Sequence, residues 1–460
     1  MRRLLFLLPL LAALVLPAAA SASSRQVTTF EAPRELLSAA TRNQTLDRIT
    51  SFGVTSIRQL VYWRDYAPDP QSKTRPAFDA SNPDAYPSGT WGNLDALVAA
   101  AKAKGVSVML TLTGPVPKWA TRAKKDTLSY PDPKEFGAFA TAVGRRYGAD
   151  VSTWSVWNEP NQPQFLMPQF VKGKPESPKL YRKLYQAAYA GLRSTPANAN
   201  DTILVGETSP RGNAHIVAPL AFLRGMLCLS STWKKSRSCG KLAADGYAQH
   251  AYTTSQGPRF KPPSKDDVTI GVLSRLVSAL DKAGKAGALP KGLPIHLTEF
   301  GIQSTPDTVS GVSFSRQAAY LAISEHIAYV NPRVASFSQY LLTDDAPRTS
   351  GYKYGGFESG LITSTGKEKP AYQGFRLPLA AETYGSSDVL WGLVRPLRAR
   401  TQVTVLRQPK GKAWRTLKTL DTTAAGVYAL STPHHAGQRY RVRWTSPGGT
   451  TYTGPPIPAY

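Results

Sequence analysis

The stretch Trp154-Ser155-Val156-Trp157-Asn158-Glu159-Pro160 decides how the rest of the chain reads. A short aromatic and β-branched run ends in Asn-Glu-Pro, and proline cannot donate to a sheet ladder. A strand therefore opens into a loop at a carboxylate. A second boundary of the same kind, Leu297-Thr298-Glu299-Phe300-Gly301, lies much further along the chain.

Outward from these two points, residues 26 to 377 alternate short β-rich runs with longer helical patterns, the rhythm of βα units. Val54–Val61, Val106–Thr113, Val151–Trp157, Thr202–Gly206, Gly246–Ala251, Ile295–Phe300 and Val334–Leu341 read as strands, with a first strand near Val27. Helical patterns fit Leu94–Lys104, Pro133–Tyr147, Pro178–Arg193 and the segments 268–286 and 314–328. Eight strands in this order predict a (β/α)8 barrel with long loops on one face. The alternative is an open doubly wound sheet, but no glycine-rich phosphate loop follows an early strand. From about Thr383 the texture changes to short alternating runs, Gln402–Leu406, Gly426–Leu430 and Tyr440–Trp444, separated by turn residues that include Gly448-Gly449. That pattern predicts a small all-β, sandwich-like module.

Arg2 and Arg3 precede an apolar run from Leu4 to Leu16, followed by small residues at Ala18, Ala20 and Ala22. This is the pattern of a secretory signal peptide, too short for a permanent membrane span. The expected organisation is a signal peptide at 1–22, a barrel at 23–380 and the β module at 381–460, in a secreted or envelope-associated protein without a stable membrane anchor. In that setting Cys228 and Cys239, the only cysteines, are expected to form a local disulfide. No His, Asp, Glu or Cys spacing suggests a metal site, and no cofactor is implied.

The formal charge of +26 is large and scattered along the sequence rather than blocked. No zinc spacing, helix-turn-helix pattern or aromatic-basic RNA motif accompanies it, so nucleic acid is not the expected partner. A basic secreted protein is drawn instead to anionic envelope polymers or acidic glycans.

Two carboxylates on one barrel rim are the minimum equipment for splitting a glycosidic bond: one acid protonates the leaving oxygen, and the second carboxylate attacks the anomeric carbon or activates water. Glu159 and Glu299 satisfy that requirement if the barrel brings their strand ends together. Glu207, ending the predicted fifth strand, is a rival carboxylate that either binds a substrate hydroxyl or satisfies a neighbouring arginine. Flat aromatic rings cover the apolar faces of sugars, and Trp63 and Trp119, after the second and third strands, are candidate platforms. His296 lies three positions before Glu299, on the opposite strand face, and is left out of the site.

Trp157-Asn158-Glu159-Pro160 resembles the strand-four signature of the clan A glycoside hydrolases, over nearly all of residues 26–377. The likeness points toward the bacterial branch related to family 39 and the family 5 cellulases. It implies a retaining O-glycoside hydrolase with Glu159 as acid/base and Glu299 as nucleophile. Asn158 corresponds to the residue that binds the sugar 2-hydroxyl, and Arg58 to the arginine that orients the nucleophile. His250-Ala251-Tyr252 matches a His-x-Tyr at the end of strand six, with Tyr252 donating to Glu299 and His250 lining the sugar site. The clan pattern often has a tryptophan after strand eight; here Ser338-Gln339-Tyr340-Leu341 offers Tyr340 instead. The expected substrate is an extracellular polysaccharide or oligosaccharide, with endo action favoured because a basic protein stays near a long acidic polymer. The competing expectation is a noncatalytic binding protein for anionic cell-envelope glycans.

Overall fold

The computed structural model describes residues 26–235 and 239–460; the expected signal peptide at 1–22 lies outside them. Eight parallel strands close into a barrel: β1 (Val27–Glu31), β2 (Ser56–Tyr62), β3 (Ser107–Thr113), β4 (Thr153–Val156), β5 (Thr202–Thr208), β6 (Gly246–His250), β7 (Ile295–Glu299) and β8 (Val334–Tyr340). Each strand pairs with its sequence neighbours, and β1 closes the ring against β8 with Val27 opposite Ser336. Closure excludes the open doubly wound alternative.

A helix follows each strand: α1 (Arg42–Ser51), α2 (Gly92–Ala103), α3 (Pro133–Tyr147), α4 (Ser177–Arg193), α5 (Pro219–Met226), α6 (Leu273–Lys285), α7 (Phe314–Tyr329) and α8 (Pro370–Arg376). Local chemistry sets their ends. Proline opens α3, Asp132 accepts from the backbone N–H groups of Lys134 and Glu135 at 2.8 and 3.2 Å, and Arg145 and Arg146 occupy the last turn. In α6, Leu273, Leu276, Ala279, Leu280 and Ala283 are buried at three- and four-residue spacing, a single apolar stripe against the barrel. The sequence reading missed α1, α5 and α8. Here α5 and α8 have only eight and seven residues, about two turns, too few for a clear periodicity.

Helix α4 also positions strand ends. The buried Tyr181 donates its hydroxyl hydrogen to the Val156 carbonyl at 3.0 Å and accepts from the Gly206 N–H at 2.8 Å, tying the exits of β4 and β5. Beyond those exits, Asn161 and Ser209 exchange two hydrogen bonds, each 2.9 Å.

After α8 the chain forms two antiparallel sheets. One contains β9 (Leu379–Tyr384), β10 (Ser387–Leu393) and β13 (Val427–Pro433); the other contains β11 (Gln402–Gln408), β12 (Arg415–Asp421), β14 (Arg439–Thr445) and β15 (Thr451–Thr453), with Ile457–Pro458 added beside β14. Both contribute buried residues, including Leu390, Val405, Tyr428 and Val442, to the core that continues into the barrel. The β9–β10 hairpin packs on α7: Trp391 stacks on His326 at 4.8 Å, and the buried Arg395, just beyond β10, donates to Glu325 at 2.5 Å and to Thr28 at 2.8 Å. Cys228 and Cys239 are joined in a disulfide after α5.

Candidate active site

The C-terminal ends of the barrel strands converge on one buried guanidinium. Arg58, in β2, has no exposed surface. Its Nη1 donates to Glu31 at 2.8 Å and Glu299 at 3.3 Å. Nη2 donates to Glu207 at 2.9 Å and to Asn158 Oδ1 at 2.8 Å, and Nε to Glu207 and Thr111 at 3.1 and 3.0 Å. A planar fork with five donors suits this task; a point-charge ammonium does not. Burial alone would weaken the guanidinium's hold on its proton, but Glu207, Glu31 and Glu299 outweigh it and raise its pKa.

Around this centre the predicted residues assemble unequally. Glu299, at the end of β7, accepts from the Tyr252 hydroxyl at 2.7 Å through Oε1 and from Arg58 through Oε2. His250, at the end of β6, is opposite Glu299 in the strand register. Its Nδ1 lies 2.9 Å from Glu159 Oε1 and 3.6 Å from Glu299 Oε2. One imidazole nitrogen thus touches both carboxylates, so their nearest oxygens are separated by no more than those two contacts laid end to end. Glu159 and Glu299 remain slightly accessible, at 9% and 7%, whereas Glu31 and Glu207 are sealed at 1% and 0%. Access separates the pair open to a ligand from the pair that balances Arg58.

The electrostatics follow from crowding four carboxylates around two cations. Burial raises the Glu159 pKa; the hydrogen bond from His250 opposes that rise, and the Glu299 charge adds to it. For His250 burial pulls downward, but the charges of Glu299 and Glu159 prevail and lift the imidazole to about 9. Glu31 rises to about 8, chiefly through burial, against the pull of Arg58. Tyr252 and Tyr340 are raised by burial and then by the nearby Glu299 charge.

The backbone is also held unusually here. Trp157, Glu159 and Glu207 have φ of 70°, 40° and 52°, in the left-handed region that non-glycine residues seldom enter. Each costs about 1–3 kcal/mol and persists only where surroundings enforce it. The enforcing contacts are hydrogen bonds from the N–H groups of Trp157 to Leu112 O (2.7 Å), Asn158 to Thr113 Oγ1 (3.0 Å) and Glu159 to Glu207 O (3.0 Å).

Two expectations require correction, and one left open between two roles is resolved. Trp63 is not a sugar platform: it is fully buried and stacks on Phe139 at 5.7 Å. Trp119 is 4% exposed, donates to the Pro68 carbonyl and meets the Trp63 ring edge-on. It borders a hollow of about 410 Å³ lined also by Arg75, Arg122 and Tyr130, which contains none of the four carboxylates. Glu207 serves the arginine, and its complete burial removes the reading in which it binds a substrate hydroxyl. His296 contacts Ser336 at 3.1 Å, away from the pair, as strand alternation requires.

Other residues escaped the sequence reading. Glu31 ends a strand just as Glu159 and Glu299 do, and that signal was available. Phe357 gave none: it sits in the long loop after β8, where its N–H donates to Asp345 at 2.8 Å. Its ring is 39% exposed, lies edge-on to Tyr340 at 5.0 Å and is 6.4 Å from Tyr252, which itself holds Glu299. Phe357 is thus an exposed aromatic beside Tyr252 and Tyr340, the tyrosines next to Glu299.

A family model described as Cellulase (glycosyl hydrolase family 5) matches residues 19–334, more than half of the chain and every strand from β1 to β7. The chain belongs to glycosyl hydrolase family 5. Among solved structures, this family 5 chain resembles a family 39 glycoside hydrolase from Bacteroides cellulosilyticus WH2, with 16% identity, coverage of 89% of this chain and 82% of that one, and a TM-score of 0.50. A hyperthermophilic β-glucosidase from Pyrococcus furiosus is 15% identical over 72% of this chain and 82% of its own, at a TM-score of 0.47. At these identities the likeness concerns the fold. No curated protein matches the chain.

Proposed function

We propose that this family 5 glycoside hydrolase is a secreted, retaining O-glycosidase in which Glu159 is the acid/base and Glu299 the nucleophile. The observation that carries the reading is the shared His250 nitrogen, 2.9 Å from one carboxylate and 3.6 Å from the other. Their nearest oxygens are at most those two contacts apart, which supports the roughly 5–5.5 Å spacing of double displacement over the roughly 6.5–9.5 Å that accommodates an attacking water.

In the first step the Glu159 proton passes to the glycosidic oxygen as Glu299 attacks the anomeric carbon and the bond to the leaving group breaks. Burial and the Glu299 charge favour the protonated Glu159 beforehand. Once it has gone, the adjacent His250 imidazolium pairs with the new carboxylate. Formation of the glycosyl ester removes the Glu299 charge, and with it the repulsion that favoured a protonated Glu159. The same residue is then ready to take a proton from water, whose oxygen displaces Glu299 and restores both carboxyl groups to their starting states. Tyr252 and Arg58 orient Glu299, and Asn158, fixed by Arg58, presents its remaining amide group toward a sugar hydroxyl.

An extracellular polysaccharide or its oligosaccharides is the proposed substrate, cut internally, in keeping with the secretory pattern at Arg2–Leu16 and the +26 charge. Screening wall and plant glycans identifies the substrate, and proton NMR of the first-formed anomer reads the stereochemistry. Retention, together with loss of turnover in Glu299→Gln, is the expected result. An inverted first product refutes the nucleophile assignment, and exclusive release of terminal sugars refutes internal cutting.

A further inference from the structure

Strand β14 carries a basic face that the catalytic reading does not use. Tyr440, Val442 and Trp444 are buried at 0%, 0% and 3% exposure, so the alternating Arg439, Arg441 and Arg443 project from the other side of the sheet. Same-face neighbours on a strand stand about 6.7 Å apart, which makes a regular row of three guanidinium groups. The register extends the face laterally: Arg439, Arg441 and Arg443 are opposite Gln408, Leu406 and Thr404 on β11, and Arg443 is also opposite Thr453 on β15.

Among the described residues no acidic side chain pairs with this row. Residues 381–460 hold three acids, Glu382, Asp388 and Asp421. Glu382 is engaged by Arg259 at 2.7 Å, and Asp388 is buried under Tyr440 and His434. Asp421 is opposite Gln402 at the far end of β11. Among the described residues none of the three arginines forms a salt bridge. Arg439 bonds only the Gln408 amide, at 2.6 Å, while Arg441 lies over the Trp414 ring at 4.2 Å with its buried Nε unpaired. Burial, and then the neighbouring Arg443 charge, push the Arg441 guanidinium below its usual range.

We infer that this row docks a carboxylate-bearing polysaccharide, a uronic-acid polymer, lying along β14. Guanidinium forks match carboxylates in a bidentate geometry. Thr404, Gln408 and Thr453 supply neutral hydrogen-bonding groups between and beside the charges for sugar hydroxyls. The choice of a glycan as occupant rests on the glycosidase reading of the barrel.

The test measures binding of the mature protein to polygalacturonate in 0.15 M salt by calorimetry, where surface charges beyond a Debye length of about 8 Å are screened. Substituting Arg439, Arg441 and Arg443 together by Gln is expected to weaken binding roughly tenfold or more. The charge-matched control, Lys172→Gln with Lys174→Gln and Lys265→Gln on exposed barrel loops, should change it less than about twofold. Arg443→Gln alone, an exposed position that preserves folding, should weaken it about threefold. Equal loss in the arginine and lysine variants overturns the proposal, as does unchanged binding by Arg443→Gln. Equal affinity for the methyl-esterified polymer, or the same arginine dependence with duplex DNA or anionic lipid vesicles, does so too. Turnover of the screened wall and plant glycans, with Glu299→Gln as control, is read separately. Polymer binding without turnover of any of them refutes the glycosidase reading and leaves the docking row standing.

Discussion

The Tyr252 hydroxyl donates to Glu299 Oε1 at 2.7 Å, across the end of the barrel from β6 to β7. The contact stabilises the ionised carboxylate, the form that attacks carbon in the proposed mechanism. It also fixes the tyrosine ring, which stacks on Phe300 at 5.9 Å. Removing only the hydroxyl therefore probes the nucleophile without opening a cavity.

Tyr252→Phe should slow formation of the glycosyl-enzyme about 10-fold or more, the equivalent of a hydrogen bond to a charged group worth about 1.5–3 kcal/mol. The loss should fall on kcat/KM for glycosylation more than on binding, because the carboxylate that Tyr252 orients loses its donor. Pre-steady-state burst kinetics across pH provide the measurement; an unchanged burst in a folded variant removes Tyr252 from the catalytic shell.

Arg58→Met should destabilise the fold by about 3–5 kcal/mol, since the buried Glu207 loses its counter-charge and Glu31 loses its hydrogen-bond donor. Arg58→Lys keeps the charge but lacks the fork, and it should recover only part of that stability and little turnover. Denaturant unfolding of both variants checks the order wild type, Lys, Met. A fully stable Arg58→Met protein contradicts the account of this cluster.

Stability should fall as pH rises above 7. His250 is raised from 6.5 to about 9, so the folded state keeps a proton that the unfolded chain releases. That contribution is complete below about pH 6.5 and lost as pH climbs through about 9. Glu31, raised from 4.5 to about 8, acts with the same sign over a lower window. Thermal midpoints measured from pH 7 to 9.5 should drop for the wild type, by the equivalent of a few kcal/mol. Glu31→Gln, neutral throughout, should make the slope shallower; an identical slope sinks the assignment of Glu31 as a proton-holding group.

Phe357→Ala should raise KM several-fold, by about 1–2 kcal/mol of lost contact, with a smaller effect on kcat. Its ring is 39% exposed, so the melting temperature should scarcely change. Trp119→Ala should do the reverse, costing about 3–5 kcal/mol of stability as a buried indole is removed. Measuring KM and the melting temperature for both variants separates a sugar platform from a core residue, and a Trp119 variant that alters KM while folding normally reverses this conclusion.

Local pattern was sufficient for the barrel and for the ends of its strands. Short apolar runs ending in Asn158-Glu159-Pro160 and Glu299-Phe300-Gly301 carry their own termination signals, and closing parallel strands must bring those ends to one rim. Strand alternation alone excluded His296. The tertiary structure decided what lay between rim residues. Trp63 and Trp119 follow strands as a platform residue does, but whether an indole faces ligand or Phe139 depends on helices packed from elsewhere. Glu31 and Glu207 resemble Glu159 locally and differ only in being sealed around Arg58. Phe357 enters through a loop whose path is held by Asp345. The sequence by itself determined which residues reach the end of the barrel, because strand period and breakers act over a few residues. Burial, ion pairing and exposure belong to chain segments far apart in sequence, and only the closed barrel decided them.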